Sequence, residues 1–272
     1  MSIYLGQLGR LVELKCPAQQ QVAAEDRFSF QTTLEGRVKA QVRPVGRRTW
    51  QVGTSDATTP AQQGAIMSFL NGEWGPGPFV FVSADAPVTN MLSPDAASCA
   101  PGAFTAGPGT AVGEAGPLLT PDGWAGRSYS NNGAGAIFHG SEQVPVIPGS
   151  KATASAYVLG AGAFVRIAWY DAAGNGLGTA SSTITATAGT VVQSWITATA
   201  PAGAASAFVC SVNATASALP ALTWTDTLFP RSDGQGCPKA VVHGASRNLV
   251  LASREARGGR YSNISFTVQE VG

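Results

Sequence analysis

The chain has 272 residues, a formal net charge of +1, 44% hydrophobic residues and only 12% charged ones. Such a composition can bury a core and excludes a disordered chain, and its charge balance provides no global field to draw it to nucleic acid or anionic lipid. The 33 glycines and 17 prolines suit many short strands joined by tight turns, and the length suggests two domains.

In chain order, Met1–Gln7 has neither a basic n-region nor an apolar h-region, so no signal peptide is expected. No apolar run approaches the ~20 residues that cross a bilayer, so no membrane insertion is expected. The segment from Arg37 to Arg43 alternates apolar and charged residues, which predicts a strand with one buried face. After a turn at Pro44–Gly46, the run from Arg47 to Val52 continues the alternation. A helix is expected from Pro60 to Asn71, capped by Thr59 and left at Gly72, with Ile66, Met67, Phe69 and Leu70 as its apolar face. Gly75-Pro76-Gly77-Pro78 then turns the chain into a buried strand, Phe79–Val82.

Charge density marks the boundaries. Residues 1–87 carry 15 charged side chains, 88–232 carry 10 and 233–272 carry 8, so the longest segment is the poorest in charge. The reading is one domain, 1–87 plus 233–272, into which a second, 88–232, is inserted. Within the insertion, Lys151–Leu159, Phe164–Tyr170, Ser182–Ala186, Ser194–Thr199, Ala207–Val212 and Leu222–Leu228 are strand candidates at sandwich-like spacing, and Asp171–Gly176 is a hairpin loop. In the last flank, Val241-Val242 and Leu249–Leu251 read as short strands. Arg260–Val271 alternates, with Ile264, Phe266 and Val268 on one face, and should pair with the first flank. The fold class is therefore mainly β: a β-sandwich inserted into a smaller β-rich domain with one short helix.

Catalytic constellations are missing from this pattern. There is no phosphate loop, no nucleophile elbow and no His-Glu-x-x-His pair. His139 and His243 are expected to be structural, so no enzymatic activity is expected. A glycosidase needs two carboxylates about 5–10 Å apart, and Asp95, Glu114, Asp122, Glu142, Asp171 and Asp226 fall mostly in turns. Cys16, Cys99, Cys210 and Cys237 lack the close spacing of a zinc site and read as small buried hydrophobes with free thiols. Exposed aromatic rings are the remaining candidates, because sugars stack their apolar faces on them. Trp169 and Tyr170 are adjacent on a strand and point to opposite faces. Tyr170, beside the hairpin loop, and Trp124, in a Pro-Asp-Gly-Trp turn, are the candidate glycan contacts. Trp195 and Trp224, mid-strand, are expected to pack in the core.

Two stretches resemble known families. Val144-Pro-Val-Ile-Pro-Gly-Ser150, Ala168-Trp-Tyr-Asp171 with its hairpin, and the run from Trp195 to Ala205 resemble carbohydrate-binding modules of the jelly-roll type (families 4 and 9). That resemblance implies a jelly-roll fold for residues 88–232 and a calcium position on its last strand, for which Asp226 is the candidate ligand; no other cofactor is implied. The flanks are similar to minor tail and distal tail proteins of long-tailed phages of actinobacteria. The residues that carry this are Gly75–Phe79, Val88-Thr-Asn-Met-Leu92, Cys237–Gly244 and the ending Tyr261–Gly272. It implies a structural virion protein of the tail tip, made in the host cytoplasm. Its partners would be other tail proteins, copies of itself in a ring, and host cell-wall glycans. The alternative is a glycan-binding accessory module of a polysaccharide-processing system.

Overall fold

A computed structural model describes residues 2–15, 17–24, 28–42, 47–54, 60–131, 135–228, 232–252 and 260–271. The first flank supplies β1 (Ser2–Gln7), β2 (Arg10–Lys15), β3 (Pro17–Ala24), β4 (Phe28–Thr32), β5 (Val38–Val42), β6 (Arg48–Thr54), α1 (Pro60–Leu70) and β7 (Phe79–Val82). The middle supplies α2 (Pro94–Ala97), β8 (Phe104–Ala106), β9 (Val112–Leu119), β10 (Ala125–Asn131), β11 (Ala136–Pro145), β12 (Lys151–Leu159) and β13 (Phe164–Tyr170). It continues with β14 (Gly176–Ser181), β15 (Val192–Thr199), β16 (Ser206–Val212) and β17 (Ala216–Thr223). The last flank supplies β18 (Cys237–Ala252) and β19 (Arg260–Glu270). The chain divides into two compact units, Met1–Leu5 with Val12–Phe81 and Lys239–Gly272, and Gly6–Leu11 with Val82–Pro238. The expected boundaries, 87/88 and 232/233, thus fall inside the second unit.

The first unit is organised by a seven-stranded sheet in the order β2-β1-β7-β18-β19-β6-β3. The C-terminal strand β19 lies inside this sheet, antiparallel to both β18 and β6. Alternation along β19 decides which side is buried: Ile264, Phe266 and Val268 point into the core with Trp50 and Val52 of β6. The register Phe266↔Val52 and Val268↔Trp50 aligns these rows across the strands. At the end of the pair, Arg48 grips Glu270 bidentately, Nε to Oε2 and Nη2 to Oε1 both at 2.9 Å, and the guanidinium lies 4.9 Å from the Trp50 ring centroid. Both side chains are nearly buried, so the charges are held by each other and not by water.

Helix α1 buries Gln63, Ile66 and Phe69, one face at helical spacing. Phe69 stacks on Trp74 at 4.6 Å and meets Phe79 edge-on at 5.2 Å. Gly72, at φ +75°, lets the chain leave the helix, as expected. The expected cap Thr59 and the turn Pro44–Gly46 lie outside the described residues. The strand expected from Arg37 to Arg43 forms, as β5, but not with a buried face. It pairs with β4 in a separate two-stranded ribbon, and Val38 is 64% exposed. Among the described residues no second layer covers the ribbon, so alternation there does not translate into burial.

The second unit contains two five-stranded antiparallel sheets, β15-β12-β17-β10-β9 and β14-β13-β16-β11-β8, the two layers of a β-sandwich. Small and β-branched residues of β12, β13 and β16 (Ala154, Ala156, Val158, Val165, Ile167, Val209) are fully buried between the layers. Two expected strands need correction. Ser182–Ala186 is not a strand: β14 ends at Ser181, and Ser182 instead hydrogen-bonds back to Val165 and Ile184. The last sandwich strand is Ala216–Thr223, not Leu222–Leu228, because its apolar residues are mostly alanines with little hydrophobic signal. A second helix, α2, was not expected; Ser93 caps it by accepting a hydrogen bond from the Ala96 amide at 3.3 Å.

A clasp closes this unit. Asn90 is fully buried and uses all of its hydrogen-bonding capacity. Oδ1 accepts from the amides of Leu92 and Leu222, both at 3.1 Å, and Nδ2 donates to the carbonyls of Pro220 (3.1 Å) and Ser232 (3.3 Å). The amides of Gln235 and Gly236 add bonds to the carbonyls of Asn90 and Leu92. A Cβ at Gly236 would collide with the Met91 carbonyl, so only glycine permits this approach. The beginning, the end and β17 of the sandwich are thus fastened at one point.

Candidate functional site

Antiparallel register places a row of side chains on the outward face of the sheet containing β13. Ser181, Arg166, Cys210, Phe138 and Thr105 are successive cross-strand partners. The next row holds Thr179, Ala168 and Phe208, and the one beyond it Tyr170 and Ser206. Trp169 points inward and is buried, so the two neighbouring rings do take opposite faces. Tyr170 is half-buried rather than free-standing. Its ring meets Phe208 edge-on at 5.8 Å, and Phe208 meets Phe138 in the same way at 5.4 Å. Burial raises the Tyr170 hydroxyl above its usual pKa. Beside this aromatic row, Arg166 lies 5.4 Å from the Phe164 ring and donates from Nε to Ser181 Oγ at 3.1 Å. Ala168, Phe208 and Cys210 are buried beneath this row with Tyr170 and Phe138 packed against them, so the face offers a tyrosine edge, an arginine and the hydroxyls of Thr105, Thr179 and Ser181.

Trp124 lies elsewhere, in the turn between β9 and β10, where it is 51% exposed. The turn is tight: the Thr120 amide donates to the Trp124 carbonyl at 2.7 Å, and the Trp124 amide donates to Thr120 Oγ1 at 3.1 Å. Asp226 pairs with Lys151 Nζ at 2.9 Å, which lowers its carboxyl pKa. Among the described residues no group of three His, Cys, Asp or Glu side chains comes together to hold a metal. Tyr170, Trp124 and Asp226 thus occupy separate places.

The expectation for Trp195 is overturned. It stands on the outward face of β15, opposite Ser155, and is 37% exposed. The inward position of β15 is taken by Ser194, whose hydroxyl accepts from the Val165 amide at 3.0 Å and donates to the Ile184 carbonyl at 2.7 Å, and the indole falls on the other side. Trp224 is half-buried and donates from Nε1 to the Pro145 carbonyl at 3.0 Å.

The remaining polar groups are tied into structure. His139 is fully buried: Nε2 contacts Ser211 Oγ (2.8 Å) and Ser217 Oγ (3.1 Å), while Nδ1 has no partner. Burial pushes its pKa down to about 3, which keeps the ring neutral. His243 is on an exposed stretch of β18. Asp171 folds back on its own hairpin loop, accepting from the amides of Ala173 and Asn175 and from Asn175 Nδ2. Cys99, Cys210 and Cys237 are buried free thiols, and the first two are pushed up to about 12 by burial. Cys16 lies outside the described residues.

No family model matches the sequence, and no curated protein matches it significantly. Among solved structures, similarity is found to the enzymatically active domain of tailspike protein 4 of bacteriophage CBA120 (TM-score 0.39, 14% identity, 53% of this chain and 22% of that one). It is also found to the CBM22-1 and GH10 modules of Clostridium thermocellum endo-1,4-β-D-xylanase 10B complexed with xylohexaose (TM-score 0.35, 13% identity, 53% and 29%). A third is the α-L-arabinofuranosidase MgGH51 (TM-score 0.38, 16% identity, 52% and 27%). The chain thus spans less than a third of each of these proteins.

Proposed function

We propose that the chain is a non-enzymatic structural protein of a phage tail tip, of the minor or distal tail kind, whose sandwich contacts glycans on the host surface. The observation that carries the glycan reading is the outward sheet face just described, where the Tyr170 and Phe138 rings, packed on the buried Phe208, stand beside Arg166. A pyranose has apolar C–H faces and polar edges, and a surface that sets aromatic edges beside a guanidinium and hydroxyls is complementary to both. Trp124 extends the same capacity to a loop. The resemblance of the flanks to tail proteins supports assignment to the virion, with the first unit as the part that joins copies of itself and other tail proteins. Reading the protein as a binder is supported by the neutral, enclosed His139 and by Asp171 and Asp226 being engaged in a turn and an ion pair. Binding at each copy is expected to be weak, since one aromatic contact contributes about 1 kcal/mol, and a ring of copies would raise avidity.

The test has two arms. Mass photometry of the purified protein should show discrete oligomers, and antiserum raised against it should label the tail tip of virions; a monomer absent from virions refutes the assembly reading. Replacing Tyr170 with Ala should weaken adsorption of the oligomer to host cell walls. Adsorption equal to the parent's for both Tyr170→Ala and Trp124→Ala would make the sandwich a spacer.

A further inference from the structure

Three large hydrophobic side chains stand in solvent on the β4–β5 ribbon: Phe30 is 69% exposed, Val38 is 64% exposed, and Leu34, at the tip, is fully exposed. Register sorts the ribbon into two faces. Phe30 is opposite Ala40 and Thr32 is opposite Val38, and these four share one face; Gln31 is opposite Lys39 on the other. Lys39 is the only charged residue in the two strands, so the face with Phe30 and Val38 carries no charge. At the tip, the Thr33 amide donates to the Arg37 carbonyl and the Gly36 amide to the Thr33 carbonyl, both at 2.9 Å. Glu35 lies 3.9 Å from Arg37, so the tip is electrically balanced as well. A two-stranded ribbon is marginally stable alone in water and needs a further layer over its apolar face. Among the described residues the chain supplies no such layer.

We infer that a second copy of this chain supplies it, the two ribbons stacking apolar face on apolar face about a two-fold axis. An isologous contact presents the same patch twice, so the patch must tolerate its own image. A charged face would repel itself, and this one is neutral and apolar throughout. Its neutrality also selects against a partner of either sign. The exposed parts of Phe30, Leu34 and Val38 together make roughly 400 Å² of apolar surface, the size at which such patches are often functional. Two faces in contact bury on the order of 800 Å², short of the ~1,200 Å² of a stable interface. Ribbon stacking is therefore a weak contact, with a dissociation constant on the order of 100 μM, and it pairs copies that other contacts have already gathered. The inference rests on the reading of the first unit as the part that joins copies, and it names the segment and the partner for one such contact.

Sedimentation velocity of the full chain, over about a hundredfold range of concentration around that value, tests this. The mass of the parent should rise with concentration above that of its dilute species. Val38→Lys and Leu34→Ser should each weaken the rise about tenfold or more, whereas Gln31→Lys, which puts the same charge on the other face, should leave it unchanged. These side chains are exposed, so the variants should melt with the parent. If Val38→Lys does not fold, oxidation of single-cysteine variants carries the test: Val38→Cys should form disulfide-linked dimers above the parent's level, and Lys39→Cys should not. A rise in mass that is equal in Val38→Lys and the parent overturns the ribbon contact and leaves assembly to another surface. A parent with no rise at all overturns the inference, while labelling of virions by antiserum still decides the tail reading. Flotation of the parent with lipid vesicles, lost in Leu34→Ser while self-association persists, would make the tip a membrane contact and overturn it too.

Discussion

Lowering the pH should loosen the sandwich through His139. In the folded chain this ring sits between the two sheets, wedged against Ser211 of β16 and Ser217 of β17, whose hydroxyls are 2.7 Å apart. It is near-parallel to Tyr129, with centroids 5.9 Å apart. The folded pKa is about 3, against 6.5 for an exposed histidine. The unfolded chain therefore binds a proton first as the pH falls. Stability is complete above 6.5, is lost progressively below it, and the loss levels off near pH 3. At 1.36 kcal/mol per pH unit the cost is ~3 kcal/mol at pH 4 and ~4–5 kcal/mol by pH 3, a large part of a typical domain's stability. The assay is urea unfolding at pH 7 and pH 4, followed by hydrogen exchange in peptides from β11 and β16 so that the sandwich is read separately. Carboxylates titrate in the parent and in a His139→Gln variant alike, so the difference between their pH dependences isolates the histidine. If the variant loses as much stability as the parent between pH 7 and pH 4, His139 is not an enclosed neutral base and the reasoning fails.

Removing the carboxylate of Glu270 leaves Arg48 buried without its counter-ion; Glu270→Ala should cost about 3–5 kcal/mol by chemical denaturation, and a cost near zero would mean that water already reaches the pair. Deleting Arg260–Gly272 removes a central strand, so hydrogen exchange should show β6 deprotected while β12 and β13 stay protected; Phe266→Ala alone should cost about 3–5 kcal/mol. Asn90→Ala orphans two amides and two carbonyls and should lower the stability of the sandwich by roughly 2–4 kcal/mol, with calorimetry as the check. Iodoacetamide at pH 8 should leave Cys99 and Cys210 unlabelled in the native protein, because both thiols are buried with pKa values near 12; fast labelling of either would contradict the structure.

What the sequence by itself determined is local. Strands with strong alternation or a continuous apolar run, such as Lys151–Leu159, Phe164–Tyr170 and Phe79–Val82, stand where their patterns put them, and α1 begins at the proline that suits a first turn. The mainly β class and the sandwich follow from those segments. Strands β8 to β11 and β17 were illegible because their apolar residues are few and interrupted, as in the Ala-Gly-Arg-Ser-Tyr-Ser-Asn of β10 and the Ala-Ser-Ala-Leu-Pro-Ala-Leu-Thr of β17, and give no sustained alternation. The tertiary structure alone decided which face of a strand counts as inside. Alternation says that Trp195 and Ser194 point opposite ways, but not which one meets the other sheet; the Val165 amide and the Ile184 carbonyl, distant in sequence, give the inward place to the serine hydroxyl. The same holds for β5, whose alternation had no layer to pack against among the described residues. Asn90 is the extreme case: an unremarkable residue in sequence, it acquires its role only because residues 130 and 142 positions away are brought to its amide group.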